Sequence, residues 1–246
     1  MVDRRKALSL LGLGVLAGCG GGGGGSAVAD AAQGVTTEDL SNAPPAPAPV
    51  ANPGTPAPVV APLSTNIAAW GDSITDLYAR SLAQVYPDRQ VYNGGVVGQT
   101  SMQIAARLQA DTAHRTWVSI LWYGHNNWSK DEVKADIASS IAALAPNQAY
   151  VILSMLNWAP TGARGTQEYA DTVRVNGELA AMYPDNFLDI RQYLVGLYNP
   201  NSWQDVQDHQ NDLPPSSLRF DGIHLNDAGC LAVARKVQEF LAGKGW

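Results

Sequence analysis

The chain has 246 residues and a formal net charge of −6 at pH 7, enough for one sizeable domain and without the basic excess that nucleic-acid binding requires. Its only two cysteines, Cys19 and Cys230, exclude a disulfide framework. No group of His, Cys, Asp and Glu has metal-ligand spacing, so neither a metal nor another cofactor is expected.

Residues 1–18 read as an export signal. Arg4, Arg5 and Lys6 give it a positive start, and the apolar run from Ala7 to Ala17 is about half the roughly twenty residues that span a bilayer. Leu16-Ala17-Gly18-Cys19 resembles the lipobox of bacterial lipoproteins. That resemblance implies cleavage before Cys19 and lipidation of the cysteine, and several acyl chains on one residue anchor firmly where one would not. The Arg4-Arg5 pair leaves general and twin-arginine export both open. Gly20 to Gly25 is unbroken glycine and Asn42 to Pro62 is rich in Pro and Ala, so neither can bury a core. Residues 19–63 are therefore expected to be a lipidated cysteine followed by a disordered tether. The expected place is the cell envelope, with the membrane met through the lipid only. Gly20 after the cysteine points, by the same resemblance, to the outer membrane or cell surface.

From residue 64 to 246 apolar runs alternate with helical periods. Asn66 to Trp70 reads as a buried strand, and a helix with Leu77, Leu82 and Val85 on one side follows Gly71-Asp72-Ser73. A serine at that turn has its hydroxyl at the mouth of a sheet and its N–H at the positive end of a helix, which suits a nucleophile whose attack creates an oxyanion. Taken alone, the tripeptide also fits an ordinary turn. Gln90 to Asn93 is a short strand, and Ser101 to Ala110 a helix with Ile104, Ala105 and Leu108 on one side. Thr116 to Tyr123 is nearly all apolar, as expected for a central parallel strand covered on both faces. Ser129-Lys130-Asp131-Glu132 fits a capping box before a helix carrying Val133, Ile137, Ile141 and Leu144. Tyr150 to Met155 and Asn186 to Ile190 are strands, with a helix from Gln167 to Met182 between them. The last helix starts at an Asn226 cap and buries Cys230, Val233, Ala234 and Val237. Such alternation predicts a doubly wound α/β fold with a parallel sheet, whose sites lie at the carboxyl ends of the strands.

Serine chemistry also needs a base, an acid to orient it and donors for the oxyanion. Asp221-Gly222-Ile223-His224 supplies the first two from one turn, because three residues of separation let the carboxylate curl back to Nδ1 and leave Nε2 for the serine. Asn93-Gly94-Gly95-Val96-Val97-Gly98-Gln99-Thr100 is a glycine loop that can present a bare N–H; it lacks the Lys of a phosphate loop. Gly124-His125-Asn126 places an amide at the end of the central strand.

These four blocks, in this order, resemble the SGNH hydrolases, also called GDSL-type esterases and lipases. The resemblance covers residues 64–246 as a single domain and implies a flavodoxin-like sheet of five parallel strands flanked by helices. It implies Ser73 as nucleophile, His224 as general base and Asp221 as its orienter, with the N–H groups of Ser73 and Gly98 and the Asn126 amide as oxyanion donors. Asn127 stands where many members have Asp, and Ile74 where the family name has Leu.

The activity expected on this basis is hydrolysis of short-chain acyl esters, acetyl above all, on a small molecule or carbohydrate. His125, Trp128, Asn157, Trp158 and Trp203 are the expected substrate contacts. The long segment from Leu197 to Arg219 should form a polar and aromatic wall with Asn157 and Trp158. Two alternatives stay open: a lysophospholipase or thioesterase acting on longer chains, and a carbohydrate-binding lipoprotein without catalysis.

Overall fold

The computed structural model describes residues 64–146 and 148–246. The export signal, Cys19 and the tether to residue 63 lie outside the described residues. The sheet has five strands, β1 (Ile67–Gly71), β2 (Val91–Gly95), β3 (Val118–Trp122), β4 (Tyr150–Leu153) and β5 (Phe187–Leu188). All pairings are parallel, in the order β2-β1-β3-β4-β5, which is the doubly wound arrangement the sequence implies. Every residue of β1 and β3 is buried, as their unbroken apolar runs require of strands covered on both faces.

Side chains of these strands alternate between two cores. Ile67, Ala69, Ile120, Trp122 and Val151 pack with Ile74, Tyr78 and Leu82 of α1 (Ser73–Val85) and with Val233, Val237 and Leu241 of a long C-terminal helix, Asp227–Lys244. Ala68, Trp70, Leu121, Tyr123 and Ile152 face the other way. They meet α2 (Ser101–Ala110), α3 (Glu132–Ala143) and α4 (Gln167–Met182) through Ile104, Leu108, Val133, Ile137, Val175 and Leu179. Two shorter helices, α5 (Ile190–Val195) and α6 (Trp203–Gln210), precede the C-terminal helix, α7.

Registers Gly71↔Gly95 and Gly71↔Trp122 bring the ends of β1, β2 and β3 level. Strand order reverses between β1 and β3, so the crevice of a doubly wound sheet opens there, beside Ser73 and Gly124.

Two local expectations change. Ser129 caps nothing: α3 starts after Asp131, whose carboxylate instead takes the Arg174 guanidinium at 2.8 and 3.1 Å. A box forms at α2, where Gln103 Oε1 accepts the Thr100 N–H at 3.0 Å. The segment from Leu197 to Arg219 is not an open loop either, because it holds α6 and a 3-10 turn, Ser216–Leu218.

Candidate active site

Asp72 caps α1, its Oδ1 accepting the Ile74 N–H at 3.0 Å, and so makes Ser73 the first helical residue. Ser73 Oγ lies 2.9 Å from His224 Nε2, although the two are 151 residues apart in the chain. His224 Nδ1 lies 2.7 Å from Asp221 Oδ2. A carboxylate can only accept there, so the ring hydrogen sits on Nδ1 and Nε2 is left to receive the serine proton. Asp221 Oδ1 accepts the N–H groups of Ile223 and His224 at 2.8 and 2.7 Å. Burial alone would raise the Asp221 pKa. The two backbone bonds and the bond from the His224 ring outweigh it and hold the carboxyl below the ordinary range.

Two features fix this turn. An antiparallel bridge, Arg219↔Leu225, closes it, and the Ala159 N–H donates to Gly222 O at 2.8 Å. A Cβ at position 222 would stand 2.5 Å from Ala159 O, so the approach of the β4-end loop requires glycine. From below, Arg219 donates to Asp221 O at 2.7 Å and to Asp208 Oδ2 at 3.0 Å, an almost completely buried ion pair. Asp205, one turn earlier on α6, accepts from Ser216 Oγ and Ser217 N–H at 3.1 and 3.0 Å. The segment expected as a substrate wall also clamps the Asp221 turn, and its Gln204, Gln207 and Asn211 line a cavity with Pro160 and Asp221.

The N–H groups of Ser73 and Gly98 donate no hydrogen bond among the described residues. Gly98 adopts φ +77°, a left-handed backbone that favours glycine. Asn126 spends one amide hydrogen on Gln99 O at 3.0 Å and retains the second. Arg107 pins the same loop, donating to Gln99 Oε1 at 2.7 Å and to Gly94 O at 2.9 Å. Asn127 accepts the Ser101 N–H at 2.9 Å and donates to Ser101 Oγ at 2.7 Å, tying the β3-end loop to the start of α2.

The expected substrate contacts divide. Trp128, fully exposed, and Trp158, half-buried, line a cavity of about 560 Å³ beside Asn126, together with Lys130, Thr161, Glu168 and Asp171. His125 also lines this cavity, but it is 5% exposed and both ring nitrogens are engaged, by Asp72 and by the Leu156 N–H. Asn157 is also buried and fully used. It donates to Gly162 O and Asp212 O at 2.6 and 3.0 Å and accepts from Arg191 Nε at 2.9 Å. Trp203 is exposed at the start of α6 and is not part of the cavity lining. Sequence reasoning missed Phe220, 61% exposed, whose ring stacks on the His224 imidazole at 5.5 Å between centroids and 8° between planes. Its one signal was an apolar residue immediately before Asp221.

No protein-family model matches the chain. A tail spike protein of Salmonella phage epsilon15 is 27% identical over 146 residues, which cover 54% of this chain and 14% of that protein. Among solved structures, a GDSL-like lipase from Bacteroides thetaiotaomicron superposes with a TM-score of 0.57 at 16% identity, over 73% of this chain and 89% of that one. A member of the lipolytic protein G-D-S-L family from Veillonella parvula gives 0.54 at 15% identity, over 72% and 97%. An acetyl xylan esterase gives 0.54 at 17% identity, over 71% and 98%. With its 2-1-3-4-5 parallel sheet and a Gly-Asp-Ser turn closing β1, the described part of the chain has the fold of the GDSL-type, or SGNH, hydrolases.

Proposed function

We propose that the protein is a carboxylic ester hydrolase that removes short acyl groups, acetyl above all, from a small-molecule or carbohydrate alcohol through an acyl-enzyme. The observation that carries this reading is the hydrogen-bonded relay Ser73–His224–Asp221. Ser73 Oγ attacks the ester carbonyl carbon while its proton passes to His224 Nε2. The carbonyl oxygen, now an oxyanion, is received by the N–H groups of Ser73 and Gly98 and the Asn126 amide. Collapse breaks the bond to the alcohol, which leaves with the proton from His224, and water repeats the two steps to release the acid and restore Ser73.

The cleft beside Asn126 supports a short acyl group and a polar alcohol. Its lining is His125, Asn126, Asn127, Lys130, Thr161, Glu168 and Asp171 with two tryptophans, and it offers no aliphatic side chain. Each methylene of a longer chain would go without the ~0.8 kcal/mol that burial provides. One observation favours the second reading, a lysophospholipase or thioesterase. A cavity of about 600 Å³ on the Phe220 side contains Leu77, Leu225 and Leu231 as well as Arg80 and Asp227. A series of p-nitrophenyl esters from acetyl to dodecanoyl separates the two, since the first predicts kcat/KM highest at acetyl or butyryl. A steady rise with chain length would give the molecule to the second reading. The solved relatives with this fold, a GDSL-like lipase and an acetyl xylan esterase, are compatible with either.

The place of action belongs to the same proposal. Lipidated at Cys19, the protein would be held by its acyl chains at the outer membrane or cell surface.

A further inference from the structure

Beside Ser73 lies a second carboxylate–imidazole pair, which the relay to Asp221 does not use. Asp72 is fully buried and its Oδ2 lies 3.0 Å from His125 Nδ1, while its Oδ1 is taken by the Ile74 N–H. The other ring nitrogen, Nε2, stands 3.1 Å from the Leu156 backbone nitrogen. A backbone N–H can only donate, so Nε2 accepts and carries no proton. The hydrogen of the neutral imidazole is therefore on Nδ1 and is donated to Asp72. One ring thereby joins the end of β1, the loop after β3 and the segment after β4.

We infer that this pair sets the geometry of the oxyanion hole. Asp72 directly precedes Ser73, and His125 directly precedes Asn126. The bond between them fixes, one residue away on each side, two donors that arise from different strands. The inference rests on the esterase reading, in which the Ser73 N–H and the Asn126 amide receive the oxyanion. Asp72 and His125 are positioning residues, since neither meets the reacting atoms. A misplacement of about 1 Å in such a site costs on the order of 10²-fold in rate.

Two substitutions at one position separate the bonds. His125→Asn keeps a donor near Nδ1 for Asp72 and gives up the acceptor for Leu156. His125→Gln keeps the acceptor and gives up the donor. Asp72→Asn has one carboxamide oxygen for two N–H donors and so cannot serve both Ile74 and His125. Turnover of p-nitrophenyl acetate, binding of phenylboronic acid (which forms a tetrahedral anion on the serine) and Tm would be measured for each. His125→Gln and Asp72→Asn are expected to lower kcat by about 10–100-fold and weaken the boronate by a similar factor, with KM changed less than about twofold. His125→Asn is expected to recover most of the loss, and the double variant His125→Gln/Asp72→Asn to be no worse than the poorer single. Lower Tm with unchanged kcat and boronate affinity would make the pair merely structural and overturn the inference, as would losses that add in the double variant. If His125→Gln fails to fold, Asp72→Asn carries the same test. A wild-type protein that neither hydrolyses the ester nor binds the boronate would instead overturn the esterase reading on which the inference stands.

Discussion

Asp221 accepts three N–H groups with two oxygens, and that count decides what its replacement does. An asparagine there has one acceptor oxygen, which the backbone of Ile223 and His224 claims, and its amide would present hydrogens to the ring. His224 would then be driven to the wrong tautomer. Asp221→Asn is expected to lower kcat by about 10³–10⁴ while the protein stays folded, measured on p-nitrophenyl acetate with circular dichroism as the control. The same bonds set the pH dependence. Because they hold the Asp221 pKa below the ordinary carboxylate range, the residue keeps its charge as pH falls from neutral. The acid limb of kcat/KM therefore reports one proton taken up by the base, and activity falls as that proton binds. The spacing of Asp221 and His224 was legible because one turn contains both residues. His125 and Asn157 were not: a sequence shows a polar side chain at a strand end but not whether buried partners already use it. In the fold, Asp72, Leu156, Arg191, Gly162 and Asp212 use them completely.

At the scale of elements, two helices match their expected bounds and the last begins at its expected cap. Ser101–Ala110 follows Thr100, Gln167–Met182 follows Thr166, and the last helix follows Asn226, whose side chain accepts the Gly229 N–H. Helix α6 was missed because it has no apolar stripe; its buried residues are Asp205 and Asp208, which serve the 3-10 turn and Arg219. A comparable polar knot joins α4, α5 and the end of α6. Asp212 accepts from Arg191 at 2.7 Å and from the Tyr169 hydroxyl at 2.7 Å. Burial would raise the Asp212 pKa, but these two bonds outweigh it and lower it. A depressed carboxylate contributes stability above the unfolded value near ~3.9, and loses it as pH falls through the folded value. Asp212→Asn leaves the buried Arg191 charge without its partner. The expected cost is about 3–5 kcal/mol in urea unfolding at pH 7. The difference from wild type should shrink as both are titrated toward pH 3. An unchanged midpoint at pH 7 would show the pair to be idle.

Over the whole molecule, the sheet order and the level ends of β1, β2 and β3 place the glycine loop, the Asn126 loop and the Ser73 turn at one rim. That convergence was readable from the alternation of strands and helices. The cleft was readable in part: Trp128 and Trp158 are expected contacts that line it, whereas Glu168 and Asp171 on α4 are brought beside Asn126 only by the folded chain. The proposed lipid anchor should be separable from this rim. Cys19→Ser is expected to abolish palmitate incorporation and move the protein from the membrane to the soluble fraction, with kcat/KM on p-nitrophenyl acetate changed less than about twofold. Palmitate that persists in the variant would refute the anchor. The central claim is that Ser73, activated by His224, is the nucleophile, and covalent labelling tests it most directly. A fluorophosphonate should label the wild-type protein on a single peptide containing Ser73, with labelling absent in Ser73→Ala and slowed at least about 100-fold in His224→Ala. Equal labelling of the wild type and Ser73→Ala, or a label carried by any other residue, would contradict it.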